Sequence, residues 1–178
     1  MNIRPYQGIL PRFGANVYVD PGATVIGDVE IGDDASLWPG VVARGDVHHI
    51  RIGARTNVQD GSILHVTHAG EYTDDGFPLL IGADVTVGHA AVLHACTIHD
   101  ACLIGMHATV LDGVVVHRHA MIGAGALVTP GKVVGEGELW LGNPARRVRR
   151  LSAREIERLH YSAQHYVKLK DRYLAAGA

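Results

Sequence analysis

The 178-residue sequence contains few cysteines, few aromatic residues and almost no net charge. Its only cysteines, Cys96 and Cys102, form neither a disulfide framework nor a Cys-x-x-Cys site, which is typical of a reducing compartment. A formal net charge of -2 gives no basic surface for nucleic acid or an anionic membrane. We therefore expect no nucleic-acid partner and no membrane partner.

Long hydrophobic runs are also absent from the sequence. No segment approaches the length of a transmembrane helix, and the opening residues, MNIRPYQGILPRFG, lack the regions of a secretory signal. We therefore expect an unexported, cytoplasmic protein. Because aromatic residues make up only 6% of the chain whereas glycine occurs 22 times, the interior is expected to be narrow.

The sequence instead contains a repeat of six residues. Aliphatic residues recur at this interval along most of the chain, and many are followed by glycine. Seven of these positions follow one another without a break: Ile98, Ile104, Val110, Val116, Ile122, Val128 and Val134. Six residues suit a short strand and a corner, and strands of stacked coils lie about 4.8 Å apart. The pattern predicts an all-β solenoid, a parallel β-helix with three hexapeptides per coil.

The repeat changes at several places that are informative about organisation. It is interrupted near residues 45–50, by a longer insertion near 67–79, and by a five-residue step from Leu93 to Ile98. Insertions in solenoids form loops, often on the binding side. From residue 151 the apolar spacing becomes helical, behind a capping-box motif from Ser152 to Glu155. We expect a β-helix domain over 1–150 and a C-terminal α-helix over 151–178 that packs on it.

Two histidines occupy equivalent positions in consecutive coils. His65 and His94 each follow an inward aliphatic residue by one position, so their side chains should point outward, one above the other, and could share a metal ion. His89 has a different offset and belongs to the preceding face, so it should not reach that ion within one chain. His99 and His117 should also stack, but no third partner accompanies them. Taken singly, each histidine is more simply a polar residue of the wall.

Four motifs accompany these repeats in a fixed order. They are residues 44–46 (RGD), 57–61 (NVQDG), 64–65 (LH) and 88–94 (GHAAVLH). Together they resemble the γ-class carbonic anhydrases of the hexapeptide-repeat superfamily, over about residue 10 to Ala175. The resemblance implies a left-handed β-helix and a homotrimer with metal ions at the subunit interfaces. Each ion would be held by His65 and His94 of one chain and His89 of another.

The resemblance also implies an activity and further site residues. It indicates a zinc lyase, with Fe²⁺ or Co²⁺ as alternative metals, that converts CO2 reversibly to bicarbonate through metal-bound hydroxide. Three histidines would leave a fourth zinc position open, as in catalytic sites. Gln59 would hydrogen-bond the metal-bound water, and Tyr166 matches a tyrosine near the family's site. Arg44 and Asp46 would form a salt bridge, across the interface or as a structural pair, or act in catalysis. Asp60 is expected either behind the ligands or at a corner of the coil.

The sequence departs from the best-known γ-class pattern in three respects. Val47 stands where that form has a glutamate, and Lys168 stands where it has an asparagine. The acidic proton-shuttle loop of that form is matched only loosely by the acidic residues within 71–75 of the insertion. His68 is an alternative proton carrier.

Two other functions fit the same scaffold. The first is an acyl-CoA thioesterase or acyltransferase, which would use a catalytic histidine without needing the metal. The second is a metal-binding structural or assembly trimer with little activity, which would keep its assembly after loss of the three histidines.

Overall fold

The hexapeptide repeats wind into a three-sided solenoid. In the computed structural model, which describes residues 2–177, strands of successive coils pair in parallel, so that three faces run along the solenoid. The fold is a left-handed parallel β-helix of about 8 turns followed by a single C-terminal helix, which confirms the predicted architecture.

Each face is built from one short strand per coil. Two longer strands, β4 (Thr24–Ile31) and β6 (Val42–Ile52), pass the corner between the first and second faces and contribute to both. The first face also contains β1 (Asn2–Arg4), β8 (Ile63–His65), β11 (Val92–His94), β14 (Thr109–Val110) and β17 (Leu127–Val128). The second face also contains β2 (Arg12–Phe13), β9 (Leu79–Ile81), β12 (Thr97–Ile98), β15 (Val115–Val116) and β18 (Val133–Val134). The third face contains β3 (Tyr18–Val19), β5 (Ser36–Leu37), β7 (Asn57–Val58), β10 (Thr86–Val87), β13 (Leu103–Ile104), β16 (Met121–Ile122) and β19 (Glu138–Gly142).

The aliphatic residues of the six-residue repeat form the core. All seven residues of the unbroken series, from Ile98 to Val134, are at most 1% exposed. Burying one such side chain contributes about 1.5–3 kcal/mol, so a ladder of them stabilises the coil without large aromatic residues. The prediction of a narrow aliphatic interior is confirmed.

The glycine that follows many of these aliphatic residues is required by the close stacking of coils. At Gly53 a Cβ atom would collide with the backbone of Gly82, and at Gly105 it would collide with the backbone of Ala124. Because the obstacles are backbone atoms, no side-chain adjustment could relieve the contact. The aliphatic-glycine pattern therefore reflects the packing of one corner on the next.

The insertion predicted near 67–79 lies between β8 and β9, at a corner between the first and second faces. Two antiparallel bridges close it, Thr67 with Phe77 and Gly70 with Thr73. The coil resumes in register after it, since β9 pairs with β6 and β12. The loop is thus an excursion between consecutive repeats.

The solenoid ends in a hairpin and a helix. Strand β20 (Ala145–Arg150) runs antiparallel to β19, and α1 spans Ala153–Ala175. The predicted capping box is present, because the Ser152 side chain accepts a hydrogen bond from the Glu155 backbone and Glu155 reaches back to the Ser152 backbone. The helix begins two residues later than the predicted 151, since Ser152 adopts the extended conformation of an N-cap. Residue 178, at the end of the predicted helix range, lies outside the described residues.

Helix α1 packs on the third face, against β3, β5, β7 and β10. Its buried residues are Leu159, Ala163 and Lys170. The Lys170 ammonium is fully buried and pairs with Asp34 at 2.9 Å and with the neighbouring Asp171. The two cysteines are buried and unpaired. Within residues 2–177, no helix is both long enough and apolar enough to span a membrane.

Candidate metal centre

The first face brings two of the three predicted metal ligands together. Strands β8 and β11 are neighbours, and their register pairs Leu64 with Leu93 and His65 with His94. Because both leucines point into the core, both imidazoles point out from the same wall. His65 Nδ1 lies 3.1 Å from His94 Nε2. The stacking predicted from the repeat is therefore present.

Each of these imidazoles contacts a carboxylate through its other nitrogen. His65 Nε2 lies 3.1 Å from Asp46 Oδ1, and His94 Nδ1 lies 2.6 Å from Asp112 Oδ1. In neutral imidazoles these nitrogens carry the proton, which leaves lone pairs on His65 Nδ1 and His94 Nε2, the two atoms that face each other. A carboxylate behind the ring is a common feature of metal-binding histidines, because it fixes the tautomer and the ring orientation.

The electrostatics of His65 and Asp46 favour a neutral imidazole beside a charged carboxylate. Burial lowers the pKa of His65, and the nearby Arg44 lowers it further, against the opposing effect of Asp46. Burial alone would raise the pKa of Asp46, but hydrogen bonds from Arg44 and His65 outweigh it and lower the pKa. These are the protonation states that a divalent cation requires, since a ligating imidazole must be neutral.

The sequence reasoning missed Asp112. This residue follows β14 and lies 18 residues after His94, one position beyond a full coil, since Leu93 pairs with Val110 after 17 residues. Its carboxylate also accepts a hydrogen bond from Thr67, at the start of the insertion. Burial would raise the pKa of Asp112, but the hydrogen bonds from Thr67 and His94 lower it overall. Counting one coil from His94 leads to Leu111, so the repeat alone does not single out Asp112.

Arg44 and Asp46 form an ion pair within one chain. The two residues alternate with buried Ala43 and Gly45 along β6, so their side chains emerge on the same side. The sequence left open a salt bridge across the interface, a salt bridge within one chain, or a catalytic role. The structure of a single chain contains the salt bridge within the chain. Through Asp46, this pair is also connected to His65.

The third predicted ligand belongs to a different face. His89 follows β10 at the corner between the third and first faces, and its Nδ1 lies 2.9 Å from Asp60 Oδ2. His89, Gln59 and Tyr166 line a cavity of about 400 Å³ between the third face and α1. Gln59 Nε2 donates to Asn57 Oδ1 at 3.0 Å, which leaves its carbonyl oxygen to accept from a donor in the cavity. Burial and the negative charge of Asp60 raise the pKa of Tyr166.

The wall of this cavity is largely apolar. Leu103, Met106 and Met121 contribute from the solenoid, and Ser162 contributes from α1 beside Tyr166. The cavity can therefore hold a small uncharged molecule or an apolar group.

The structure thus divides the predicted site residues into two groups. Four lie on the first face: Arg44, Asp46, His65 and His94. Three lie around the cavity at the third face: Gln59, His89 and Tyr166.

Across residues 2–177 of one chain, no group of three or more histidine, cysteine, aspartate or glutamate side chains is arranged to hold a metal ion. Cys96 is buried in the core instead of facing these histidines. His68 and the acidic residues within 71–75 lie exposed on the insertion.

Comparison with known proteins relates the whole chain to one set of relatives. The family model described as "Bacterial transferase hexapeptide (six repeats)" matches residues 11–45 and 95–130. Protein YrdA of Escherichia coli is 54% identical over 175 residues, covering 98% of this chain and 95% of YrdA. A protein named "Probable carbonic anhydrase" from Methanocaldococcus jannaschii is 49% identical over 156 residues, 88% of this chain and 94% of its own.

A solved structure shares the fold over nearly the full length. It is a putative acetyltransferase of Bacillus cereus, 36% identical, with a TM-score of 0.91, covering 98% of this chain and 97% of that one.

Proposed function

The chain belongs to the γ-class carbonic anhydrase-like family of hexapeptide-repeat proteins, and from this membership we propose that it is a zinc-dependent homotrimer that converts CO2 and water reversibly to bicarbonate. The observation that carries the proposal is the pair His65 and His94, whose free nitrogens face each other while a carboxylate lies behind each ring. Fe²⁺ and Co²⁺ are alternative ions for the same nitrogen ligands.

The donor set fits a zinc ion. The 3.1 Å between His65 Nδ1 and His94 Nε2 is a separation that two ligand nitrogens of one zinc ion can span with bonds of about 2.0–2.1 Å. We propose that His89 of a neighbouring chain supplies the third nitrogen. A three-fold ring brings one face of each subunit against a different face of the next, so the first face would meet the third. The division of the site residues between these two faces supports this arrangement.

The remaining residues have roles that follow from their contacts. A zinc ion held by His65, His94 and a neighbouring chain's His89 would supply a water of lowered pKa, towards the value of 7 that is known from carbonic anhydrase itself. Gln59, whose amide nitrogen donates to the buried Asn57, would accept a hydrogen bond from that water with its carbonyl oxygen. The Arg44–Asp46 pair keeps His65 in the required tautomer. The apolar walls formed by Leu103 and Met121 would admit uncharged CO2 in preference to ions.

A stopped-flow assay of CO2 hydration tests the proposal. Zinc-loaded protein should accelerate hydration, and His94→Ala should reduce the rate to the uncatalysed background because only one nitrogen of the first-face pair would remain. His117→Ala is the matched control, since His117 is an exposed histidine that follows β15 of the second face, whereas His65 and His94 lie on the first face. Absence of activity at full metal occupancy, under both reducing and oxidising conditions, would refute the proposal.

Two further properties can be measured on the same preparation. We propose that the mass in solution is that of a trimer, with one zinc per chain bound at the interfaces. We also place the enzyme in the cytoplasm, because its two cysteines are free thiols. Disruption of the trimer should release the interfacial metal.

A second candidate function is acyl transfer from, or hydrolysis of, an acyl-CoA thioester. It is favoured by the apolar cavity beside His89 and by the structural similarity to the protein described as a putative acetyltransferase. Such activity would consume acyl-CoA without added metal and would survive chelation. A structural trimer would show neither activity and would assemble normally when all three histidines are replaced.

A further inference from the structure

A second pair of histidines joins the C-terminal helix to the solenoid. His119 lies at the corner between β15 and β16, and His160 lies in the second turn of α1. Their Nε2 atoms are 3.3 Å apart, and their ring centroids are 5.3 Å apart with the planes at 72°. The two rings therefore meet through their nitrogen atoms.

This arrangement differs from that of another histidine pair in the chain. His99 and His117 have a similar centroid distance, 5.2 Å, but their planes are inclined by only 3°, so the rings stack face to face. Ring lone pairs lie in the ring plane, and stacked rings do not aim them at a common point. Close approach of two histidines is thus not sufficient for metal binding. His119 and His160 also have ring nitrogens that face each other.

The separation of these two nitrogens matches one edge of a tetrahedral metal site. With bonds of about 2.0–2.1 Å, ligand atoms 3.3 Å apart subtend roughly 104–111° at a zinc ion, close to the tetrahedral angle. As a direct hydrogen bond the same distance is long, since N–H donors usually approach their acceptors to about 2.9–3.0 Å. The geometry favours a shared cation over a shared proton.

An acidic side chain lies near His119 but beyond hydrogen-bonding distance, unlike the carboxylates behind the first-face pair. Glu136 Oε1 lies 3.9 Å from His119 Nδ1, on the side of the ring away from His160. Burial lowers the pKa of His119, and the charges of Arg118 and His160 lower it further, against the opposing effect of Glu136. A neutral imidazole that carries its proton on Nδ1 leaves Nε2 free to bind a metal.

We propose that His119 and His160 form a second metal site, in which both Nε2 atoms bind a divalent transition-metal ion such as Zn²⁺ and link α1 to the solenoid. The site lies at the corner between the second and third faces, whereas His89 lies at the corner between the third and first faces. It is therefore distinct from the centre proposed above. Two protein ligands leave the remaining positions to water, and the nearby Arg118 weakens the attraction for a cation, so this site is the weaker of the two.

Equilibrium dialysis against Zn²⁺ at pH 7.5 tests this site without relying on the first one. The double variant His89→Ala/His94→Ala removes the centre proposed for catalysis and should still bind one zinc per chain. Adding His160→Gln should weaken that binding more than tenfold, whereas adding His117→Gln, from the stacked pair, should leave it unchanged. If the double variant binds no zinc, or if His160→Gln does not alter the binding, the inference is wrong.

Single substitutions provide a second test in case the multiple variants fold poorly. In the wild-type chain, His119→Gln and His160→Gln should each remove one zinc per chain and leave the other. Zinc at 100-fold above its Kd should raise the thermal midpoint of the double variant by roughly 5–10 °C, and His119→Gln should abolish that rise. A rise of the same size in the presence of His119→Gln would assign the effect to another site.

Discussion

Replacing Asp112 with asparagine tests whether the carboxylate behind His94 supports metal binding. Asp112 Oδ1 lies 2.6 Å from His94 Nδ1, and hydrogen bonds from Thr67 and His94 overcome the effect of burial and lower the pKa of this carboxyl. The carboxylate is therefore charged at neutral pH and fixes the tautomer and the orientation of the ring that it contacts. Asparagine keeps the shape and an acceptor oxygen but removes the charge.

The expected cost follows from the type of contact. Loss of a carboxylate behind a ligating histidine weakens metal binding about 10–100-fold, which corresponds to about 1.4–2.8 kcal/mol. Because a hydrogen bond to a charged acceptor is roughly twice as strong as a neutral one, Asp112→Asn should retain part of the effect and weaken zinc binding about tenfold. Asp112→Ala removes the acceptor completely and should approach 100-fold.

Competition with a chromophoric chelator measures this change on the assembled protein. Asp84→Asn is the matched control, because Asp84 pairs with Arg55 at a corner between the second and third faces. Its zinc affinity should equal that of the wild type. A zinc Kd for Asp112→Asn within twofold of the wild type, or an equal loss in the control, would show that the Asp112–His94 contact does not support metal binding.

Three further predictions concern the fold. Leu93→Ala should lower the free energy of unfolding by about 2–5 kcal/mol in a urea titration, because Leu93 is fully buried in the core; a loss below about 1 kcal/mol would mean that the coil repacks. Ser152→Ala should cost about 1 kcal/mol through loss of the cap on Glu155, and Ser152→Asn should preserve stability. Burial raises the pKa of Cys102 to about 12, so thiol reagents at pH 8 should label Cys96 and Cys102 only in unfolded chains. Rapid labelling of the native protein would contradict this burial of the thiols. Since folding favours the protonated thiol, the stability that Cys102 contributes should be complete below its ordinary pKa of 9.0 and should decline as pH rises towards about 12.

Much of the solenoid could be predicted because its structure repeats. A fixed interval of six residues specifies which side chains enter the core, and stacked coils then place equivalent residues beside one another. This is why the contact of His65 with His94 followed from counting, even across the insertion. The different offset of His89 followed in the same way, and it led to the hypothesis that a complete site needs two chains.

Contacts that depend on the docking of α1 could not be predicted. Lys170 pairs with Asp34, 136 residues earlier, and His160 meets His119, 41 residues earlier. Helical periodicity indicates that one side of α1 is buried, but it does not determine which face of the solenoid receives it. The position of Tyr166 beside Gln59 and His89 also depends on this docking.

The sequence alone therefore determined the coil, its aliphatic interior and the alignment of His65 with His94, because these depend on local spacing along the chain. Only the tertiary structure placed Asp112 behind His94 and α1 against the third face. Each of these contacts joins two segments whose relative position depends on how the corners, the insertion and the helix pack together. The periodicity within one segment does not determine that position.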